Sequence, residues 1–256
     1  MRVNSIIIFL TIAAGSALSE TQRGIVGGSS TSIQNYPYVA ALLRSSSQAY
    51  VQSCVGTIIN NRAILSAAHC FYRDSANRWR IRVGSSYANS GGTVFTTARI
   101  IIHPSFGEYS NDHDVAVMHS SRGFSFSNSV RAASIAGSNY NVANNQALWA
   151  VGWGKPSVGG PASEQLRQVM IWTINQNICR SRYAELGFTI TDNMLCSGWL
   201  DVGGRDQCQG DSGGPLIHND VIVGICSWGQ QCALARYPGV NTRVSRFTSW
   251  IQANAQ

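Results

Sequence analysis

The sequence predicts an all-β fold, with its strands closed into barrels or packed as a sandwich. Short β-branched or alternating runs recur from Val39 onward, each broken by Gly, Asn or Ser. Charged residues make up only 12% of the chain while 25 residues are glycine, a balance that suits short strands and tight turns. The 256 residues bury ample core for one large unit or two small ones.

In chain order, strands are expected over Val51 to Ile59, Ala63 to Ser66, Trp79 to Val83, Thr93 to Ile102 and Asp114 to His119. Phe124 to Gly137 reads as a crossing loop. The β pattern resumes with Gln146 to Gly152, Gln165 to Thr173, Pro215 to His218, Val221 to Trp228 and Gly239 to Arg243. Two stretches read as helical: Asn175 to Tyr183, and Val244 to Ala253, where Val244, Phe247 and Ile251 share a face.

Met1 to about Ala17 reads as a secretory signal, with Arg2 as the n-region, Ile6 to Ala14 as the apolar h-region and Gly15-Ser16-Ala17 as the small residues for cleavage. The run is short of the ~20 apolar residues of a span, and no later stretch reaches that length, so no membrane association is expected. A secreted, extracellular chain with seven cysteines implies disulfides and one thiol left over, and spacing alone leaves the pairing open. No zinc-type cysteine spacing is present. The net charge of +7 is spread along the chain, which excludes nucleic acid as the expected partner. Of the 19 cations only Lys155 is lysine, and arginine keeps its charge in strongly alkaline fluid where lysine does not.

The chemistry-bearing stretch is Asp206-Gln207-Cys208-Gln209-Gly210-Asp211-Ser212-Gly213-Gly214-Pro215. Its glycines let the backbone turn sharply, present one hydroxyl and leave amide N–H groups aimed at the same spot, the requirements of a nucleophile beside an oxyanion hole. A base and an orienting acid must come from elsewhere. Five histidines are candidates: His69, His103, His113, His119 and His218. His69 stands out by joint occurrence, since Ala67-Ala68-His69-Cys70 ends a strand and is followed by Asp112-His113-Asp114-Val115-Ala116-Val117 and then by the serine stretch.

These motifs, with Ile25-Val26-Gly27-Gly28, Gly152-Trp153-Gly154, Ser227-Trp228-Gly229 and Pro238-Gly239-Val240, resemble the chymotrypsin-fold serine proteases over Ile25 to the C-terminus. Within them the chain is similar to trypsins, especially the arginine-rich secreted trypsins of moth and butterfly larvae. The resemblance implies two packed six-stranded antiparallel β-barrels, an N-terminal one over about 25–130 and a C-terminal one over about 131–243, with a short intermediate helix and a C-terminal helix over about 244–254. It implies Ser212 as nucleophile, His69 as base and Asp114 as the acid that orients it, with Asp112 a solvated turn residue and His113 a bystander. The Gly210 and Ser212 amides would form the oxyanion hole. Asp206 would read a cationic substrate side chain between Ser227, Trp228, Gly229 and Gly239, so that protein or peptide substrates are cut after Arg or Lys. Gln207 replaces the small hydroxyl residue usual there, which bears on the preference between Arg and Lys.

The implied disulfides are Cys54 with Cys70, Cys179 with Cys196 and Cys208 with Cys232, each stabilising by about 2–4 kcal/mol, with Cys226 left as a buried small apolar residue. Gly84 to Thr93 contains no acid, so no metal site is expected there, and no cofactor is implied. The likeness further implies a monomer, held by protein inhibitors and made as a zymogen. A propeptide over 18–24 would be cut so that Ile25 turns inward onto Asp211. Here Gly24 intervenes between Arg23 and Ile25, so a cut after Arg23 leaves one residue to remove. Val55 stands where these proteases usually have glycine. Digestion is the expected role, with yolk or cocoon protein degradation as the alternative. A non-catalytic binding homologue is disfavoured because His69, Asp114 and Ser212 are all kept.

Overall fold

The computed structural model describes residues 25–46, 49–157 and 159–256. The expected leader, the propeptide and the Arg23-Gly24 step lie outside the described residues. A two-residue strand, β1 (Ser29–Ser30), comes first. The first barrel then closes from β2 (Val39–Ser45), β3 (Tyr50–Ile58), β4 (Ala63–Ser66), β5 (Trp79–Val83), β6 (Thr93–Ile102) and β7 (Ala116–Ser120), in the order β2-β3-β4-β7-β6-β5. After β8 (Ser134–Ile135), the second barrel uses β9 (Ala147–Gly152), β10 (Arg167–Thr173), β11 (Met194–Gly198), β12 (Pro215–His218), β13 (Val221–Trp228) and β14 (Gly239–Arg243). Its order is β10-β11-β14-β13-β12-β9, and pairing of β9 with β10 closes it. Both barrels are antiparallel; β1 adds to β10, and β8 runs parallel to β13.

Alternation is cleanest where one strand face meets water. In β5, Trp79, Ile81 and Val83 are buried while Arg80 and Arg82 point outward. β2 lacks that signature because it is covered on both faces. Ala40 and Leu42 enter the first barrel's core, and Val39, Ala41 and Leu43 join a second core shared with Val151 and Leu216. A doubly covered strand reads as a continuous apolar run, which is why the sequence pattern opens at Val39 yet its first bounded strand is drawn at Val51. β11 is likewise buried throughout and was not anticipated. The crossing loop also holds more structure than expected, since β8 lies within it.

α1 (Gln176–Ala184) begins at Asn175, whose side chain accepts from the amides of Asn177 (2.9 Å) and Ile178 (3.2 Å), a cap worth about 1 kcal/mol. Cys179 and Tyr183, four apart, form its buried face, and Cys179–Cys196 pins it to β11. The C-terminal segment splits into a 3₁₀ turn at Val244–Arg246 and α2 (Thr248–Asn254), with Val244, Phe247 and Ile251 all buried. Among the described residues no helix is long and apolar enough to cross a membrane.

The barrels meet along backbone as well as side chains. The Val55 amide of β3 donates to the Ser212 carbonyl (2.8 Å), and the Thr242 hydroxyl of β14 donates to the Asp114 carbonyl (2.7 Å). The chemistry-bearing residues sit on this seam.

Candidate active site

His69 lies in the 3₁₀ turn Ala68–Cys70 that follows β4, and the Cys54–Cys70 disulfide fixes that turn to β3. Asp114 follows a tight turn in which Asn111 and His113 take positive φ (50° and 55°), and it is fully buried. Its Oδ1 accepts from the His69 amide (2.8 Å). Its Oδ2 accepts from His69 Nδ1 (2.7 Å) and from the Ser227 hydroxyl (2.5 Å). With the Nδ1 proton spent on Asp114, the Nε2 lone pair of neutral His69 is free for a proton. Burial alone would lower the His69 pKa, but the charge and hydrogen bond of Asp114 outweigh it and the net displacement is upward.

Asp112 is not the solvated turn residue expected. Its Oδ1 accepts from the Thr191 hydroxyl (2.8 Å) and from Asn193 Nδ2 (3.1 Å), tying the Asp114 turn to the second barrel. Neighbouring His113 stacks on His103, with ring centroids 4.9 Å apart.

Ser212 sits on a turn held from several sides. Gly210 (φ 98°) and Gly213 (φ 80°) adopt conformations that only glycine takes without strain. Gln52 Nε2 donates to the Gly210 carbonyl (2.8 Å), and the Gly213 amide donates to the Cys226 carbonyl (2.8 Å). Cys70 Sγ lies 4.0 Å from His69 Nε2 and 3.8 Å from the Ser212 carbonyl oxygen, so the imidazole and the Ser212 main chain stand beside the same sulfur atom. Among the described residues no hydrogen bond joins the Ser212 hydroxyl to His69, and such bonds commonly tighten only when substrate is bound.

Val55 packs beside this turn. Its Cβ is 3.3 Å from where a Cβ on Gly214 would stand and its Cγ2 is 3.4 Å from that of Gly152, so two glycines supply the room that its side chain fills. Asp211 is buried behind Ser212, where Oδ1 accepts from the Gly154 amide (2.7 Å) and Oδ2 from the Cys208 amide (3.0 Å). No cation faces it among the described residues, and burial pushes its pKa up to about 7. Ile25 is also fully buried, and the Val26 carbonyl accepts from the Asp206 amide (3.2 Å).

Beside Ser212 opens a slot of about 210 Å³, lined among others by Asp206, Gln207, Ser227, Trp228, Gly229 and Gly239. Asp206 is 3% exposed, and each of its oxygens accepts one main-chain N–H, from Gln207 (2.9 Å) and Ala233 (3.0 Å). Desolvation raises its pKa to about 7. A Cβ on Gly239 would come within 2.7 Å of Asp206 Oδ1, so that wall must be glycine for the carboxylate to face open space. The Cys208–Cys232 disulfide closes one side. Tyr183 braces another, donating its hydroxyl to the Pro238 carbonyl (2.6 Å) and packing edge-on against Trp228 at 5.0 Å. Tyr183, Gln52 and Thr242 were not singled out from sequence. Tyr183 carries a findable signal, being four residues after Cys179 on the buried face of a helix.

The Gly84 to Thr93 loop is closed by this chain's own groups. Arg82 donates to the carbonyls of Asn89 (3.0 Å) and Gly91, and Glu164 accepts from the Asn89 amide (2.9 Å). Among the described residues no cluster of three His, Cys, Asp or Glu is placed to hold a metal ion.

The sequence model of the Trypsin family matches residues 25–251. Trypsin CFT-1 of Choristoneura fumiferana is 63% identical over 256 residues, covering all of both chains. Trypsin, alkaline A of Manduca sexta is 56% identical over 256 residues, again all of both chains. Achelase-1 of Lonomia achelous is 52% identical over 235 residues, 90% of this chain and all of that protein.

Proposed function

Because the chain belongs to the trypsin family and is a trypsin-like serine endopeptidase, we propose that it cuts protein substrates after Arg or Lys, is secreted as a zymogen, and acts in digestion. The observation that carries this reading is Asp206: a carboxylate 3% exposed, with no cation against it among the described residues, in a slot that Ser212 also lines. A long cationic side chain pairs with it, whereas an apolar one leaves a buried charge unmatched. An activated preparation is expected to hydrolyse a chromogenic arginine or lysine anilide and to leave a phenylalanine anilide intact. Equal rates on all three would overturn the reading.

In the proposed mechanism Ser212 attacks the scissile carbonyl as His69 Nε2 takes its proton. Asp114 holds the imidazole and stabilises its cation, itself fixed by Ser227 and Thr242. The Gly210 and Ser212 amides stabilise the oxyanion, a contribution worth about 10²–10³ in kcat per donor. His69 then protonates the leaving amine, and water repeats the sequence on the acyl-enzyme. Since His69 works as the neutral base, kcat is expected to fall tenfold per pH unit on acidification below a pKa displaced above the usual imidazole value of about 6.5. At saturating substrate Asp206 is paired, so this limb reports the His69 pair. A limb lying below the usual value would refute the coupling to Asp114.

Activation is proposed to free the Ile25 amine within reach of Asp211, whose buried carboxylate has no cation facing it among the described residues. The protease domain is then 25–256, preceded by a leader over 1–17 and a propeptide over 18–24, and Gly24 must be removed as well as Arg23 cut. Edman sequencing of active material is expected to begin at Ile25; full activity in material beginning at Gly24 would sink this. The arginine-only cation set apart from Lys155 suits an alkaline fluid, in keeping with the word alkaline in the name of the Manduca relative. Protein inhibitors that offer an Arg or Lys to the slot are proposed partners, and the working unit is proposed to be the monomer.

A further inference from the structure

We propose that Cys226 is a covalent modification site inside the slot, taking small cationic disulfides and thiosulfonates as its ligands. The proposal rests on the reading of that slot as a cation pocket. Three disulfides use six cysteines and leave Cys226 as a free thiol. Its main chain is clamped to the nucleophile turn, its amide donating to the Gly214 carbonyl (2.9 Å) and its carbonyl accepting from Gly213 (2.8 Å). While its neighbour Ile225 is 1% exposed, Cys226 keeps accessible surface and lines the same cavity as Asp206 and Ser212.

A second group on that cavity's wall points to a cation. Asp206 is 3% exposed, lines the slot, and has no cation against it among the described residues, and a buried carboxylate favours a positively charged partner. A carboxylate and a thiol on the walls of one narrow slot then select one chemistry, a positive charge joined to an electrophilic sulfur.

With 2-aminoethyl methanethiosulfonate, the Cys226 thiolate attacks the sulfenyl sulfur. A new S–S bond forms, the bond to the sulfonyl sulfur breaks, methanesulfinate leaves with the electron pair, and the thiol proton passes to solvent. Cys226 is oxidised to the disulfide level and the sulfonyl sulfur is reduced to sulfinate. Burial, together with the charges of Asp211, Asp206 and Asp114, holds the thiol well above its ordinary pKa. The rate therefore rises with pH, and attraction to Asp206 concentrates a cationic reagent where thiolate is scarce. The aminoethyl group left behind occupies the space a substrate's cationic side chain needs.

Treatment of the activated protein with 2-aminoethyl methanethiosulfonate in alkaline buffer is expected to abolish arginine anilide hydrolysis. The rate should be at least about tenfold faster than with the anionic 2-sulfonatoethyl reagent and should be slowed by benzamidine. Cys226→Val, measured against its own untreated rate, is expected to survive the same treatment. Inactivation of that variant as fast as wild type, or labelling of Cys226 by the anionic reagent as fast as by the cationic one, would overturn the proposal. Peptide mapping of the labelled full-length wild-type chain reads the charge ratio without any activity and without the variant. Absence of arginine and lysine anilide hydrolysis before any reagent is added would instead count against the proposed specificity.

Discussion

Ser212→Ala is expected to lower kcat on an arginine anilide by about 10⁶, leaving a rate still about 10³–10⁴ above the uncatalysed one. The residual is predictable because alanine keeps the backbone amide at 212, and the slot around Asp206 is untouched. Binding of benzamidine and the thermal midpoint should therefore stay near wild type while turnover collapses. His69→Ala should cost about as much, and the double variant little more than either single one, because the hydroxyl and the imidazole act as one unit. Active-site titration with a serine-directed phosphonylating reagent checks the assignment. A variant that keeps more than a few per cent of wild-type kcat, or that still takes up the reagent, would mean the nucleophile is another residue.

Much of this architecture is legible in the residue pattern wherever one strand face is wet. β5 alternates because Arg80 and Arg82 meet solvent while Trp79, Ile81 and Val83 do not. β2 and β11 hide for the opposite reason, since strands covered on both faces lose the period of two that marks a strand. The split of the C-terminal helix into Val244–Arg246 and Thr248–Asn254 leaves the apolar face intact, so the spacing of Val244, Phe247 and Ile251 could not disclose it.

Site residues divide along a similar line. His69, Asp114, Asp206 and Ser212 sit in short motifs whose chemistry is local and therefore readable. Gln52 and Thr242 act through single hydrogen bonds to the Gly210 and Asp114 carbonyls, made across the seam between barrels. Nothing in a strand sequence marks which outward polar side chain will meet a carbonyl more than 100 residues away. Asp112 was misjudged on the same ground: its partners, Thr191 and Asn193, belong to the other barrel. The room that Val55 fills is equally invisible in sequence, because the glycines that supply it, Gly152 and Gly214, are its neighbours in space and distant along the chain.

At Asp206 the expected change is in selection, with the chemistry spared. Asp206→Ser should reduce kcat/KM for arginine and lysine substrates by on the order of 10⁴, the scale on which a buried polar site rejects a mismatched partner, while hydrolysis of an activated ester without a cationic side chain continues. The pH dependence isolates the cause. Burial holds the Asp206 pKa at about 7, whereas a bound guanidinium favours the carboxylate and lowers it. A cationic inhibitor that keeps its charge throughout must therefore bind more weakly as pH falls below about 7, by up to tenfold per unit, and reach a plateau above it. Asp211 carries a similar displacement but is present in both proteins, so the difference between their profiles belongs to Asp206. The variant's profile should be flat across that range. Inhibitor binding that weakens on acidification equally in both proteins would assign the proton to Asp211, and an arginine preference that survives the substitution would move the specificity determinant away from Asp206.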